Sequence, residues 1–395
     1  MNNYIFLSIL FFYLCFSCVS SEQQKYSGIM TFDVAKKYEF KKIDIHDIAE
    51  VEYIIPLSND GFLYTNFVYI IDHYFVMFNY FGGDFVFLDR QGNPQSSISK
   101  MGQGPTEYLP YYWLQIYDEY RDEFFVFSVP NVLKVYDRFG KYKRTLPLRN
   151  REKIPCSIDA FYNYNEEYLV CHDKLSESSP FYLLSKKDGK TKDIDIYRVG
   201  KFDSRIVKNY GDGNTMNVSL SNSYAIKNGN NILLTEYGTD TIFAYTPDSR
   251  LLPVFVRTPS IHDMEPQIVV HGFIETDHYL FFSTQKKEYD FRTRKGMEQQ
   301  GYMYDKLAQK YYEVEVYNPD YNGQSLIVTP AEMMTRIGEC SSDPHTGIRV
   351  LWKEDLERAD GAGKLGGNLK SVFEQMEDED LFILMVLKFK QCDYE

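Results

Sequence analysis

Along the chain, short apolar runs alternate with compact polar turns in a repeating order of strand, gap, strand, turn, strand. Phe85-Val86-Phe87-Leu88 precedes Asp89-Arg90-Gln91-Gly92, and a further strand then reaches Ile98. The order returns at Leu133-Lys134-Val135-Tyr136, with Asp137-Arg138-Phe139-Gly140 and a strand through Leu148. A third copy is Phe181-Tyr182-Leu183-Leu184 with Lys187-Asp188-Gly189 at its turn. Two looser copies span Thr241 to Val256, around Pro247-Asp248-Ser249, and Tyr302 to Glu315, around Lys306-Leu307-Ala308. Gly and Asp suit these positions because tight hairpins use backbone angles that a Cβ resists. Each copy follows another apolar strand: Tyr74 to Phe78, Phe124 to Phe127, Tyr168 to Cys171, Asn231 to Thr235 and Tyr279 to Ser283.

Successive turns lie roughly 50 to 60 residues apart, a period that implies repeated blades with long loops. Five copies are internal. A sixth blade is expected from the ends, where Val51 to Ile55 and Leu381 to Leu387 both read as strands. Joining them closes the ring and removes exposed sheet edges. The fold expected is therefore all-β, a six-bladed β-propeller over residues 46–395. Residues Ser325 to Met376 break the rhythm. Thr329-Pro330-Ala331-Glu332-Met333-Met334 reads as a helix start, and Leu369, Val372, Phe373 and Met376 fall at helical spacing. A small, partly helical insertion over 325–378, before the closing strand, accounts for both.

The 34 Tyr and 29 Phe suit pleated, half-buried surfaces. They are read first as core, and second as platforms for sugar rings or other flat ligands. The net charge of -13 argues against polyanion binding, and no basic run of the kind that neutralises nucleic acid is present. The pairs Lys36-Lys37, Lys41-Lys42 and Lys286-Lys287 read as solvated faces.

Tyr4 to Phe16 is an apolar run of signal-peptide length, too short to span a bilayer. It ends at Leu14-Cys15-Phe16-Ser17-Cys18, which resembles the lipobox of bacterial lipoproteins. That resemblance makes residues 1–17 a lipoprotein signal peptide, Cys18 the lipidated residue and 18–45 a tether. An ordinary cleaved signal is the rival reading. With more than one acyl chain, membrane attachment would last. Cys156 and Cys171 flank an expected hairpin and could form a disulfide or remain two buried thiols.

One segment is more distinctive than the repeats. Lys100-Met101-Gly102-Gln103-Gly104-Pro105-Thr106-Glu107-Tyr108, after Asp89-Arg90-Gln91-Gly92, resembles the Gly-x-Gly-Pro-Gly-Glu-Tyr signature of six-bladed β-propeller lipoproteins of Bacteroidetes, which are themselves similar to NHL-repeat propellers. Thr106 stands where the third Gly is usual. The resemblance implies a lipid-anchored cell-envelope protein, at the outer membrane, and supplies no catalytic residues. On the residues themselves, Gly102 and Gly104 permit a tight connection, Pro105 rigidifies it, and Glu107 with Tyr108 can pin it by hydrogen bonding. It is not a phosphate loop, since no Gly-Lys-Ser/Thr follows.

Catalytic motifs are missing. None of the seven His residues lies in a His-Glu-x-x-His pattern, and no Cys/His spacing points to zinc or another metal. There is no Gly-x-Ser-x-Gly elbow, and no cofactor is implied. A lone His is read as packed or surface. The function expected is non-catalytic binding or scaffolding, with a glycan or protein ligand, the membrane as a partner through the anchor, and no nucleic acid. The alternative is a propeller enzyme, hydrolase or lyase, with its site at the central channel mouth. That alternative requires His or carboxylates from at least three blades to converge.

Overall fold

The computed structural model describes residues 28–57, 67–70, 73–79, 83–129, 131–148, 158–176, 179–200, 202–220, 224–322, 324–326, 328 and 345–390. Five sheets of four or more strands, and one of three, follow one another along the chain. Blade 1 comprises Phe67–Ile70, Phe75–Asn79, Asp84–Leu88 and Pro94–Ile98. Blade 2 comprises Pro110–Asp118, Glu123–Ser128, Val132–Tyr136 and Tyr142–Pro147. Blade 3 comprises Ile158–Asn163, Tyr168–Asp173, Phe181–Ser185 and Thr191–Asp193. Blade 4 comprises Ala225–Asn228, Asn231–Thr235, Thr241–Tyr245 and Leu251–Thr258. In blade 5 the first position is split between Ile268–Val270 and Ile274–Glu275, which share Tyr279–Lys286 as partner before Gln299–Asp305 and Lys310–Tyr317. Every expected strand pair falls within these sheets.

Blade 6 joins the two ends. Ala49–Ile54 pairs antiparallel with Phe382–Phe389, which also pairs with Thr346–Trp352. The core clusters then run around the ring. One packs Phe78 and Phe85 of blade 1 on Phe124 and Tyr136 of blade 2, and another packs Phe127 on Leu169 and Tyr182 of blade 3. The largest cluster spans blades 3 to 5, and a fourth joins blades 5 and 6. The last sets Ile348 and Leu384 of blade 6 against Phe75 and Met77 of blade 1. Among the described residues, many Tyr and Phe side chains are packed in these clusters between blades, where large rings fill the wedge between diverging sheets.

The hairpin turns explain why two copies look loose in sequence. Gly92, Gly140 and Gly189 have φ of 87°, 79° and 74°. The equivalent residues in blades 4 and 5 are Ser249 and Gln309, which take φ of 64° and 51° without glycine. A side-chain oxygen at the turn's first position holds the backbone there, as Asp89 and Asp137 do in blades 1 and 2. Asp305 Oδ1 accepts from Leu307 N and Ala308 N, and Thr246 Oγ1 accepts from Arg250 N.

Two expectations need revision. The segment 18–45, expected as a tether, is docked onto the ring from Met30 onward. Strand β1 (Met30–Asp33) pairs in parallel with Leu251–Thr258 of blade 4, and β2 (Glu39–Asp44) in parallel with Lys310–Tyr317 of blade 5. A single helical turn, Ile45–Ile48, then leads into β3 (Ala49–Ile54) of blade 6. Phe32 is fully buried, stacked on Tyr38 and packed edge-on against Phe282, so this strap belongs to the core. Lys41 sits 3.6 Å from the Tyr312 ring and Lys42 3.1 Å from Glu315, contacts of a paired edge strand rather than a free solvated face. The second revision concerns 325–378. Helices Lys353–Gly361 and Gly367–Phe373 are present, but Thr346–Trp352 inside that range is a blade strand and Ser325–Leu326 pairs with blade 5. The helix start expected at Thr329 to Met334 lies outside the described residues.

Candidate functional site

Antiparallel blades give the ring two unlike faces. On one, first strands end and the Asp-x-x-Gly turns sit. On the other, first strands begin, second strands end and the blade-to-blade connections run. This second face carries the long excursions, and we call it the hairpin face.

The signature segment lies there, between the last strand of blade 1 and the first of blade 2. Its carboxylate is folded inward: Gly104 N donates to Glu107 Oε2 at 2.8 Å, and a Cβ on Gly102 would stand 2.0 Å from that oxygen. Tyr108 is fully buried, and its hydroxyl donates to Gly83 O of blade 1 at 2.7 Å. From blade 2, Tyr136 Oη donates to Thr106 O and Lys134 Nζ to Pro105 O. Gly102, Gly104, Pro105, Glu107 and Tyr108 therefore form a stitch between two blades, with their polar groups turned to protein.

Between blades 3, 4 and 5 the same face has a polar floor. His172 lies near the end of the second strand of blade 3, stacked on Tyr224, ring centroids 3.7 Å apart. Its Nε2 is 3.0 Å from Glu236 Oε2, just past the second strand of blade 4. Arg198, in the connection from blade 3, reaches Glu236 at 3.3 Å and donates to Lys174 O and Ser176 O. Burial would raise the Glu236 carboxyl, but the His172 and Arg198 contacts outweigh it and hold it below the usual carboxylate range. The next residue begins a second chain of contacts. Tyr237 Oη lies 2.9 Å from His271 Nδ1, and His271 Nε2 lies 3.2 Å from Gln285 Oε1. That acceptor requires the proton on Nε2, so Tyr237 donates to Nδ1. Complete burial pushes His271 down to about 4, leaving it neutral.

These networks root two β-hairpins. The first, Arg205–Gly211 with Asn214–Ser219, stands in the connection from blade 3 to blade 4, and Arg198 fixes its approach. The second, Tyr289–Asp290 with Lys295–Gly296, follows the second strand of blade 5, and Gln285 Nε2 donates to Met297 O at its base. The hairpins meet twice. Lys287 Nζ lies 5.0 Å from the Phe202 ring at the roots, and Lys208 Nζ lies 5.9 Å from the Phe291 ring higher up. Beside the floor is a cavity of about 10 Å³, the size of one water. Thr235 Oγ1 and Arg257 Nε line it, buried without hydrogen-bond partners.

A family model described as a 6-bladed beta-propeller matches residues 21–336. The chain belongs to this family. Two solved structures share the propeller's architecture at low identity. An exported protein of Bacteroides fragilis has a TM-score of 0.61 and 15% identity, covering 92% of this chain and 100% of its own. A DUF4221 family member of Bacteroides vulgatus has a TM-score of 0.52 and 10% identity, covering 87% of this chain and 99% of its own. No curated protein matches in sequence.

The remaining sequence candidates resolve differently. Cys18 and Cys156 lie outside the described residues. Cys171 is buried in blade 3 with Phe161 opposite it across the strand pair. Trp352 of blade 6 packs edge-on against Phe382. Among the described residues, no three His, Cys, Asp or Glu side chains gather where they could hold a metal ion, and no helix is long and apolar enough to cross a membrane. Single-residue reading missed the floor. Its signal was a polar residue near the end of the second strand in three successive blades: His172 after Cys171, Glu236 after Thr235, and Gln285 after Thr284.

Proposed function

We propose that this propeller is a cell-envelope lipoprotein, anchored through Cys18 at the outer membrane, that binds a ligand without chemistry on its hairpin face. Support for export comes from the apolar run ending at Ser17-Cys18 and from the similar fold of the exported Bacteroides fragilis protein. The observation that carries the binding reading is the division of labour on that face. The side chains of His172, Arg198, Glu236, Tyr237, His271 and Gln285 are committed to one another and to the hairpin roots, while the hairpins present exposed Tyr210, Val207 and several cations to solvent. Such a rigid, polar base under projecting loops suits recognition.

The test is to replace 205–219 with a short Gly-Ser linker and screen both proteins on glycan arrays and against envelope proteins. A ligand retained by the native chain and lost by the variant supports the reading. Identical ligand profiles overturn it. Separately, Cys18→Ser is expected to release the chain from membranes and abolish fatty-acid labelling. Retention of both would remove the anchor.

One observation favours a second reading. His172, Glu236 and His271 come from three consecutive blades, the convergence required of an enzyme. A hydrolase or lyase would then use the His172–Glu236 pair as acid and base after the hairpins part. Turnover of an envelope substrate that disappears in His172→Gln while the protein stays folded would establish it.

A further inference from the structure

The whole chain is acidic, but the second hairpin reverses that sign locally. Residues 286–295 contain five cations against two carboxylates. Two of the five are already engaged: Lys286 pairs with Glu288 at 2.5 Å, and Lys287 reaches Gln267 at 3.2 Å. The other three, Arg292, Arg294 and Lys295, are exposed at the tip of the second hairpin and have no carboxylate partner among the described residues. Lys208 projects from the first hairpin toward them, 5.3 Å from the ring of Tyr210. The two carboxylates of the second hairpin offset this group only in part: Glu288 is taken up by Lys286, and Asp290 lies within the field of Lys208. Asp290 is turned back on its own loop, accepting from Arg292 N at 2.8 Å and Thr293 Oγ1 at 2.9 Å. Aromatic rings are set among the cations: Tyr289 and Phe291 are 5.0 Å apart edge to face, and Tyr210 is 57% exposed.

We infer that the two hairpins clasp an acidic polysaccharide, with Lys208, Arg292, Arg294 and Lys295 meeting its carboxylates or sulfates. This rests on the reading of the hairpin face as the binding surface. A guanidinium fork matches a carboxylate or sulfate in two parallel hydrogen bonds. The aromatic faces between the cations match the apolar face of a sugar ring. A polymer with one charge per sugar fits this alternation of cation and ring. The acidic remainder of the molecule repels a chain with the dense charge of nucleic acid. An acidic peptide would use the cations and leave the rings without a partner.

The experiment is calorimetric titration of the mature protein with polygalacturonate, its fully methyl-esterified form, chondroitin sulfate and poly-glutamate. Polygalacturonate or chondroitin sulfate is expected to bind at least about tenfold more tightly than the ester, and Lys208→Gln/Arg292→Gln/Arg294→Gln to lose about tenfold of that affinity. The substituted side chains are exposed, with Lys208 resting 5.9 Å from the Phe291 ring, so the melting temperature should move little, which separates lost contacts from lost fold. Failure of both acidic polymers to bind, or poly-glutamate binding as tightly, overturns the inference. Binding of the ester equal to the acid, and lost on removal of 205–219, overturns the acidic ligand but leaves the binding face standing. If neither these polymers nor any ligand of the native chain depends on 205–219, both fall.

Discussion

On the turn face, Lys186 Nζ and Asp118 Oδ2 meet at 2.7 Å with both side chains fully buried, tying blade 3 to blade 2. Arg144 grips Glu123 with two bonds of 2.6 Å and donates to Lys186 O, and Lys306 repeats the theme against Glu275 of blade 5. On the hairpin face, Lys208, Arg292, Arg294 and Lys295 stand in water. The same residue types serve as rivets on one side and as open hands on the other. The difference lies in desolvation: a buried charge must be matched inside the protein, whereas an exposed one costs nothing until a ligand arrives. Charge counted over a whole chain hides such a division. That is why the net -13 correctly describes the molecule and misdescribes this surface.

Substitutions should separate the faces by magnitude. The largest effect is expected for Lys186→Ala, which strands Asp118 in the interior and should cost about 3–5 kcal/mol in chemical denaturation. The double change Lys186→Met/Asp118→Leu should recover most of it, because the fault is an unmatched charge and not a missing contact. A double variant no more stable than the single would show that the pair is needed for blade docking itself.

Next comes acid. His271 is neutral when folded, with its pKa pushed to about 4, while the unfolded chain takes up a proton near pH 6.5. The unfolded state therefore binds more protons between those values, and stability should fall as pH drops from about 6.5 to about 4. His271→Gln should flatten that slope in melting curves taken across the window. Glu123 acts lower down. Burial would raise it, but Arg144 and Arg121 hold it at about 2, so its contribution is present above about pH 4.5 and is lost as pH falls toward 2. Glu123→Gln should remove that acid-limb loss. Smallest of all, Lys208→Gln, Arg292→Gln and Arg294→Gln should each change stability by less than about 0.5 kcal/mol. A larger loss would mean these side chains hold the hairpins together and are not free to meet a ligand.

The blades were legible because each repeats an apolar second strand and a turn whose geometry demands Gly or a short capping side chain. Blades 4 and 5 were fainter because Ser249 and Gln309 accept left-handed angles that glycine would have advertised. In the signature loop, Glu107 accepts from Gly104 N and Tyr108 donates to Gly83 O, short-range contacts whose residue types stand in the sequence itself. The strap was not readable, since Met30–Asp33 and Glu39–Asp44 are short, partly polar and paired with residues far along the chain. The floor was invisible for a related reason. His172, Glu236 and His271 each look solitary in sequence, and only the ring sets them side by side.

The strap also fixes an order of events during synthesis. Met30 pairs with Phe255, Glu39 with Tyr312 and Ala49 with Phe389, so these three early strands wait in turn for partners made far along the chain. Such distant pairings make closure slow and dependent on the finished polypeptide. A nascent chain of this design keeps its ring open until the strand Phe382–Phe389 has been made.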